Sequence, residues 1–418
     1  MHICVLGAGV VGLTSAYYLA RAGHQVTLVE RNGEPGQGAS YANGGQLSYS
    51  YVGPLAAPGA LAGLFGGLLH GDRPLRLTPR IDPRQWRWAA AFLRACTTPR
   101  MHRSMAELQP LAFLSRTGLR ALIAAEDIEF DYHRRGKLII HSDPRALEDA
   151  RALVEFQAGL GAEQRMLDGE ACLALEPSLT AIRSRIRGGI YTPSEDAGDC
   201  QKFCAGLDRV LATRYGVERR YHHQIGKLRR EGRRIRSALS DKGEIEAEQF
   251  VLAAGFASRG LARSLGFELP LYPLKGHSLT TPDTAEGRSP RLSVTDSARK
   301  IVYARLGQSL RAAAMVDVGA SHGAVEPRRI AALKGQVAES FPGLGGLDKA
   351  TVWAGQRPAT AEGKPILGAS PYENLWLNLG HGALGFTLAC GTGQILADLI
   401  QGVTPAMPVA PFRLGTVH

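Results

Sequence analysis

The chain opens on a short apolar run, Ile3-Cys4-Val5-Leu6, that stops at a glycine. Gly7-Ala8-Gly9-Val10-Val11-Gly12 follows, then apolar positions at helical spacing to about Ala22. After Gly23 a second run, Gln25 to Val29, closes on Glu30. Brief continuous apolar runs fit strands buried on both faces, and the 3.6-residue period between them fits a helix. The pattern predicts strand, glycine turn, helix and strand within thirty residues. A second unit of this kind is predicted near the other end: strand Leu375 to Leu379, then Gly380-His381-Gly382-Ala383-Leu384-Gly385-Phe386-Thr387, then a helix to Ile400. A third buried strand, Phe250 to Leu252, ends in Ala253-Ala254-Gly255 before a helix.

Between these ends the periods alternate. Helices are predicted over 105–126, 144–160 and 200–214, with a shorter one starting near Leu167. Strands are predicted at Lys137 to His141, Gly188 to Tyr191, near Gly216 to Glu218 and around Ile225. A hairpin is predicted about Asp241-Lys242-Gly243. Residues 53–70 stand apart as a charge-free, glycine-rich apolar run. Arg73, Arg76, Arg80, Arg84 and Arg87 follow it, interleaved with Trp86 and Trp88. Two readings stand: a segment lying in a bilayer interface, or a buried active-site loop followed by a basic surface helix.

Composition narrows this picture. A chain of 418 residues with 44% hydrophobic residues and 50 glycines fits a two-domain α/β enzyme with many tight turns. The formal charge of +11 suits an anionic partner. The basic residues are scattered and form no reader motif, so no nucleic-acid partner is expected. The six cysteines form no CxxC pair and suit a reducing compartment. The first strand starts at residue 2 and no stretch of about twenty uninterrupted apolar residues occurs. A cytoplasmic protein is therefore expected, with peripheral contact at the inner face of the bacterial plasma membrane the alternative. His70, His222 and His223 show no ligand spacing, so no metal is expected.

The glycine turn carries chemistry. Gly7 permits the tight turn, Gly9 lets a pyrophosphate approach the backbone, and Gly12 lets the helix pack on the strand. The helix amides, with Val11 among them, face phosphate charge. Glu30, eighteen residues past Gly12, can accept hydrogen bonds from a ribose, with Arg31 beside it. The small and amide residues Ser40, Asn43, Gly44, Gly45 and Gln46 come next and suit contact with a flat ligand. Ile225, Ala254 and Gly255, and in the second glycine turn Gly380, Gly382, Leu384, Gly385 and Thr387, complete the expected cofactor contacts. Ala16 and Gly23 extend the fingerprint as in glutathione-reductase-like FAD proteins. The first turn alone does not choose between FAD and NAD. The two signatures at opposite ends imply a discontinuous cofactor domain.

Further motifs are Ser40-Tyr41-Ala42-Asn43, Ala56-Ala57-Pro58-Gly59, Tyr191-Thr192-Pro193 with Gly198-Asp199-Cys200, Pro273-Leu274-Lys275-Gly276, Ala304-Arg305-Leu306-Gly307, and Gly355-Gln356-Arg357-Pro358. Together with the glycine turns they resemble the D-amino-acid oxidase superfamily of FAD enzymes, and within it the bacterial small-subunit type of D-amino-acid dehydrogenase. The resemblance spans nearly the whole chain. It implies a glutathione-reductase-like (Rossmann-type) α/β domain binding FAD noncovalently, built from 1–52, 195–262 and 352–418. It also implies an inserted α+β substrate domain on an antiparallel sheet, from 53–194 and 263–351. The implied activity is oxidative deamination of a small-molecule D-amino acid: hydride passes from Cα to flavin N5, the imino acid hydrolyses to a 2-oxo acid and ammonia, and electrons go on to a quinone or other acceptor. Arg357 matches the family arginine that clamps the substrate carboxylate. Tyr49, Tyr51 and Tyr303 are expected to line the site, with His381 touching flavin or substrate. The chain departs from the family at Ala313-Ala314-Met315-Val316-Asp317, Phe386 and His277. Two alternatives stand: a dehydrogenase of D-proline or hydroxy-D-proline type substrates, and a soluble glycine- or sarcosine-type amine oxidase using O2.

Overall fold

In the computed structural model, residues 1–60, 74–283, 288–320 and 323–417 are described. Part of the apolar run at 53–70, residues 61–70, lies outside them.

Six strands form the first sheet, in the order Ile366–Ala369, Leu375–Leu379, Gln249–Leu252, His2–Leu6, Gln25–Val29, Glu218–Arg220. All neighbours pair in parallel except Ile366–Ala369, which runs antiparallel at one edge. Leu6 lies level with both Val29 and Leu252. Gly7, Glu30, Ala254 and Gly380 therefore emerge together at the carboxyl edge of the sheet, where ligands of such folds bind. The helices Val10–Arg21, Thr98–Ala125, Cys200–Thr213 and Gly385–Gln401 cover one face around Leu13, Leu108, Leu207 and Leu396. A three-stranded antiparallel meander, Ile225–Glu231, Arg234–Ser240 and Gly243–Glu246, covers the other with the helix Ser258–Ser264. It contains the expected hairpin.

Nine strands make the second sheet, which carries Thr351–Ala359 at one edge beside Tyr272–Pro282. It is antiparallel except where Ser293–Asp296 meets Lys137–His141 and where Ser309–Val318 meets Leu75–Leu77, so it is mixed rather than antiparallel throughout. The helix Pro327–Ser340 buries Leu333 and Val337 against its outer face. Its inner face meets the carboxyl edge of the first sheet. Ser278 Oγ donates to Ala42 O at 2.7 Å, and Arg311 pairs with Asp199 at 2.9 Å. Asp199 at the same time caps the helix Cys200–Thr213, accepting from Gln201 N and Lys202 N.

Two elements depart from the expected partition. The strand Thr351–Ala359 lies in the second sheet, and the helix Thr98–Ala125 packs in the core of the first. Among the described residues, Gly382–Gln401 is the one helical stretch long and apolar enough to cross a membrane, with mean hydropathy 1.4 over its best window. Two-thirds of that window is buried inside the protein, as a core helix requires.

Candidate functional site

Three glycines divide the work of the first turn. Gly7 holds φ +109°, and a Cβ there would lie 2.7 Å from Ala253 O. A Cβ on Gly12 would lie 1.8 Å from Gly7 O, so these two close strand against helix. Gly9 is different: the nearest atom to its added Cβ would be Ser40 Oγ at 3.5 Å, which leaves its outer side open. The helix behind it has no cap from its own N-cap residue and no acid in its first turn. Only Val10 N finds a side chain, Ser40 Oγ at 3.1 Å. The remaining first-turn amides, Val11 and Gly12, have no intrahelical partner and face outward with the positive end of the helix dipole. An anion suits that edge.

Glu30 is fixed beside this turn. One carboxylate oxygen accepts from Ala8 N at 2.8 Å, and the other from Asn32 N and Asn32 Nδ2. Each oxygen keeps spare lone pairs for a ribose hydroxyl. Arg31 next to it is exposed. Ile225 begins the meander a few residues from His223, whose N–H reaches Glu30 O. Ala254 and Gly255 are half-buried at the end of the neighbouring strand, as are Gly382, Leu384 and Gly385 in the second glycine turn. Positive φ at Gly380 (+82°) and Gly382 (+55°) folds that turn back over the sheet edge.

The segment after Ser40 crosses to the second sheet. Asn43 Oδ1 accepts from Gly45 N at 3.0 Å and so shapes the loop around Gly45. A Cβ on Gly44 would meet Val302 Cγ2 at 2.8 Å. Gln46 donates through Nε2 to Val294 O and Tyr303 O, which pins it to the second sheet. Ser48 N donates to Thr387 Oγ1 at 3.1 Å and thereby ties the segment to the second glycine turn.

Arg357 is the cation expected at the site. Its guanidinium lies over Gly276, where an added Cβ would be 2.3 Å from both terminal nitrogens. It forms no ion pair within 4 Å among the described residues. Its recorded hydrogen bond is a long one, 3.4 Å, to Met315 O. Met315 occupies φ +69° at an irregularity in the strand pairing, and this turns its carbonyl toward the arginine. Burial lowers the Arg357 pKa, yet the side chain is only half-buried. Tyr51 shows the same combination: burial raises its pKa while 37% of its surface stays open. Both side chains thus keep open surface although they sit deep in the protein.

The structure places the other expected residues as follows. Tyr303 points to the opposite face of the sheet, where its hydroxyl meets Ser340 Oγ and its ring stands edge-on to Phe341. Residues alternate along a strand, and Val302, its neighbour, is the one facing Gly44. Tyr49 is fully buried in the first core and its hydroxyl has no partner among the described residues. His381 turns into its own helix, with Nε2 3.1 Å from Thr392 Oγ1, and burial lowers its pKa to about 3. His277 is likewise on the outer face, 3.8 Å from Asp317, its pKa lowered to about 4 chiefly by burial. Cys390 sits in the core, where burial raises its thiol pKa to about 12. Lys137, Ser48 and Glu195 were not singled out from the sequence, although a lysine opening the apolar run Lys137-Leu138-Ile139-Ile140 was a visible signal.

The family model of FAD-dependent oxidoreductases known as DAO matches residues 2–399. The chain belongs to this family. It is an FAD-dependent oxidoreductase. It is 48% identical over 424 residues to D-amino acid dehydrogenase 2 of Ralstonia nicotianae, covering 99% of this chain and all of that one. It is 46% identical to D-amino acid dehydrogenase 2 of Pseudomonas aeruginosa, covering 97% and 96%. Among solved structures the fold resembles glycine oxidase from Geobacillus kaustophilus, with TM-score 0.79 at 21% identity and coverage of 99% and 97%. It also resembles L-proline dehydrogenase from P. horikoshii, with TM-score 0.71 at 17% identity and coverage of 99% and 96%.

Proposed function

We propose that this FAD-dependent oxidoreductase is a D-amino-acid dehydrogenase that passes its electrons to a membrane quinone. Bound FAD supplies the two-electron acceptor for the hydride leaving substrate Cα. The protein supplies orientation. Arg357 presents a planar fork that matches a carboxylate, and among the described residues no carboxylate within 4 Å competes for it. Gly276 below it leaves the guanidinium room to lie flat. Tyr51 offers an apolar wall with a hydroxyl at its tip. Among the described residues, His381 and His277 both point away from Arg357. A substrate amine that enters neutral can release hydride without a protein base. The imino acid then leaves for hydrolysis to a 2-oxo acid and ammonia.

The unpaired Arg357 carries this reading, and the relatives' names support the substrate class. The membrane part draws on the helix Pro83–Ala95. Trp88 is buried and donates to Ala359 O, while Trp86 and Leu93 are exposed beside Arg87 and Arg94. Fully exposed Ile81 precedes the helix. An apolar surface rimmed by arginine suits an anionic lipid interface.

The test is anaerobic bleaching of the yellow holoprotein at about 450 nm, the flavin's own absorption. The panel is D- and L-amino acids, D-proline, glycine and sarcosine. Rapid bleaching by D-amino acids alone is the expected result. Bleaching by glycine or sarcosine, with turnover-matched peroxide formation in air, would replace the reading with an amine oxidase.

A further inference from the structure

Lys137 opens the buried strand Lys137–His141, and only 2% of its surface is accessible. Its Nζ donates to Ser48 Oγ at 2.9 Å and stands 4.2 Å over the ring of Tyr51. No carboxylate comes within 4 Å of it among the described residues. Its nearest counter-charge, Glu195, is fully buried and accepts from Tyr49 N at 2.8 Å and Ser50 N at 2.6 Å. A buried cation and a buried anion thus grip consecutive residues of one segment, Ser48 through Tyr51. Asp196, beside Glu195, is already engaged by Arg120 and Tyr132. Ser50 Oγ and Ser293 Oγ, the latter level with Lys137 in the sheet, are buried without partners among the described residues. Buried polar atoms left this way mark space for water or ligand.

The gripped segment reaches both parts of the site. Ser48 N holds Thr387 Oγ1 in the second glycine turn. Further along, Pro54 approaches Gly363, and Ala56 packs in a cluster with Leu274 and Ala359, around the strand that carries Arg357. Two isolated buried charges are an expensive way to fix a loop when apolar packing would serve. Such groups persist where function holds them.

We propose that Lys137 and Glu195 are a positioning pair, which holds Ser48–Tyr51 in place so that Tyr51 and the second glycine turn meet substrate and flavin in register. Burial drives both groups toward neutrality. It lowers the Lys137 pKa to about 8 and raises that of Glu195 to about 7, each partly offset by the other's charge. The stability from a raised acid is lost as pH rises through its folded value, and that from a lowered base is lost as pH falls through its own. Both contributions are therefore absent between about pH 7 and 8, where the ionised pair is least favourable to the fold. The grip on the segment needs those charges.

The inference rests on the proposed reaction for its kinetic arm only. The experiment uses FAD-loaded protein with Lys137→Met, Lys137→Arg, Glu195→Gln and the double variant Lys137→Met/Glu195→Gln. Binding of benzoate, read as a perturbation of the flavin spectrum, is measured beside turnover across pH 6–10. The expected outcome is at least a tenfold weaker benzoate affinity and kcat/KM in Lys137→Met. Lys137→Arg should restore both and carry the alkaline limb upward, because its charge does not titrate there. The double variant should melt at or above the wild-type temperature near pH 7.5 while staying impaired. If Lys137→Met loses FAD, Glu195→Gln carries the same test. Unchanged benzoate affinity and pH profile in both single variants would overturn the proposal. So would a double variant that melts lower in step with its lost function, which would mark a purely structural pair. A failure of every D-amino acid to bleach the flavin strikes the proposed reaction and leaves the benzoate and melting arms standing.

Discussion

A methyl group on Gly276 would sit 2.3 Å from both terminal nitrogens of Arg357. The obstructed atoms are the far end of a flexible side chain, so the protein can yield by moving the arginine. Gly276→Ala should therefore fold with an unchanged melting temperature and raise KM about tenfold or more, a loss of carboxylate positioning. An unchanged KM would place the substrate elsewhere. Arg357→Lys keeps the charge and loses the fork. It should cost about 2–4 kcal/mol in kcat/KM, roughly 30- to 1000-fold, with flavin content unaltered. These residues also show the limits of reading a site from sequence. Arg357 was legible because a motif carried it. Tyr303 was not, because a two-residue alternation says which residues share a face and not which face looks inward. His381 was placed correctly in its turn, and its inward direction depends on Thr392 eleven residues away.

At the scale of elements, the first strand–turn–helix unit was legible entire, since each glycine has a local steric cause. Gly9 and Gly12 permit a paired test. Gly12→Ala meets backbone at 1.8 Å and should fail to accumulate as folded flavoprotein. Gly9→Ala meets only Ser40 Oγ at an ordinary 3.5 Å. It should show wild-type circular dichroism and bind FAD at least tenfold more weakly, and equal FAD affinity would remove Gly9 from the phosphate site. The helix Thr98–Ala125 was less legible. Apolar periodicity becomes clear only near Met105, because its first turn holds Pro99 and the residues after it are Arg100, His102 and Arg103. Its place in the first core, against Gly385–Gln401, could not be read from a segment flanked on both sides by elements of the second sheet. Strand Thr351–Ala359 was assigned to the cofactor part by proximity in sequence. It belongs to the second sheet through register with Tyr272–Pro282.

Across the whole molecule, two charge effects can be measured. If the helix Pro83–Ala95 meets a bilayer, the protein should co-sediment with vesicles containing anionic lipid at low salt. Trp86→Ser with Leu93→Ser should abolish this without lowering soluble turnover with an artificial acceptor. Equal sedimentation of wild type and variant would assign that face another role. The second effect is acid sensitivity. His277 and His381 are held neutral, with pKa lowered to about 4 and about 3. Their contribution is complete above pH 6.5 and is lost as pH falls through those values, because the unfolded chain binds the protons first. Melting temperature should fall between pH 6.5 and 4, and His381→Gln should make that fall shallower.

The cofactor edge gathers strand ends from residues 6, 29, 252 and 379. During synthesis the first glycine turn leaves the ribosome long before the second. If the first turn holds the phosphates and the second meets the ring, as proposed, the first waits for most of translation without the second, and tight flavin capture is expected only after the strand Leu375–Leu379. Chains stopped before Leu375 should emerge colourless however well their first thirty residues fold. For this protein, yellow colour would report that the second glycine turn has been made.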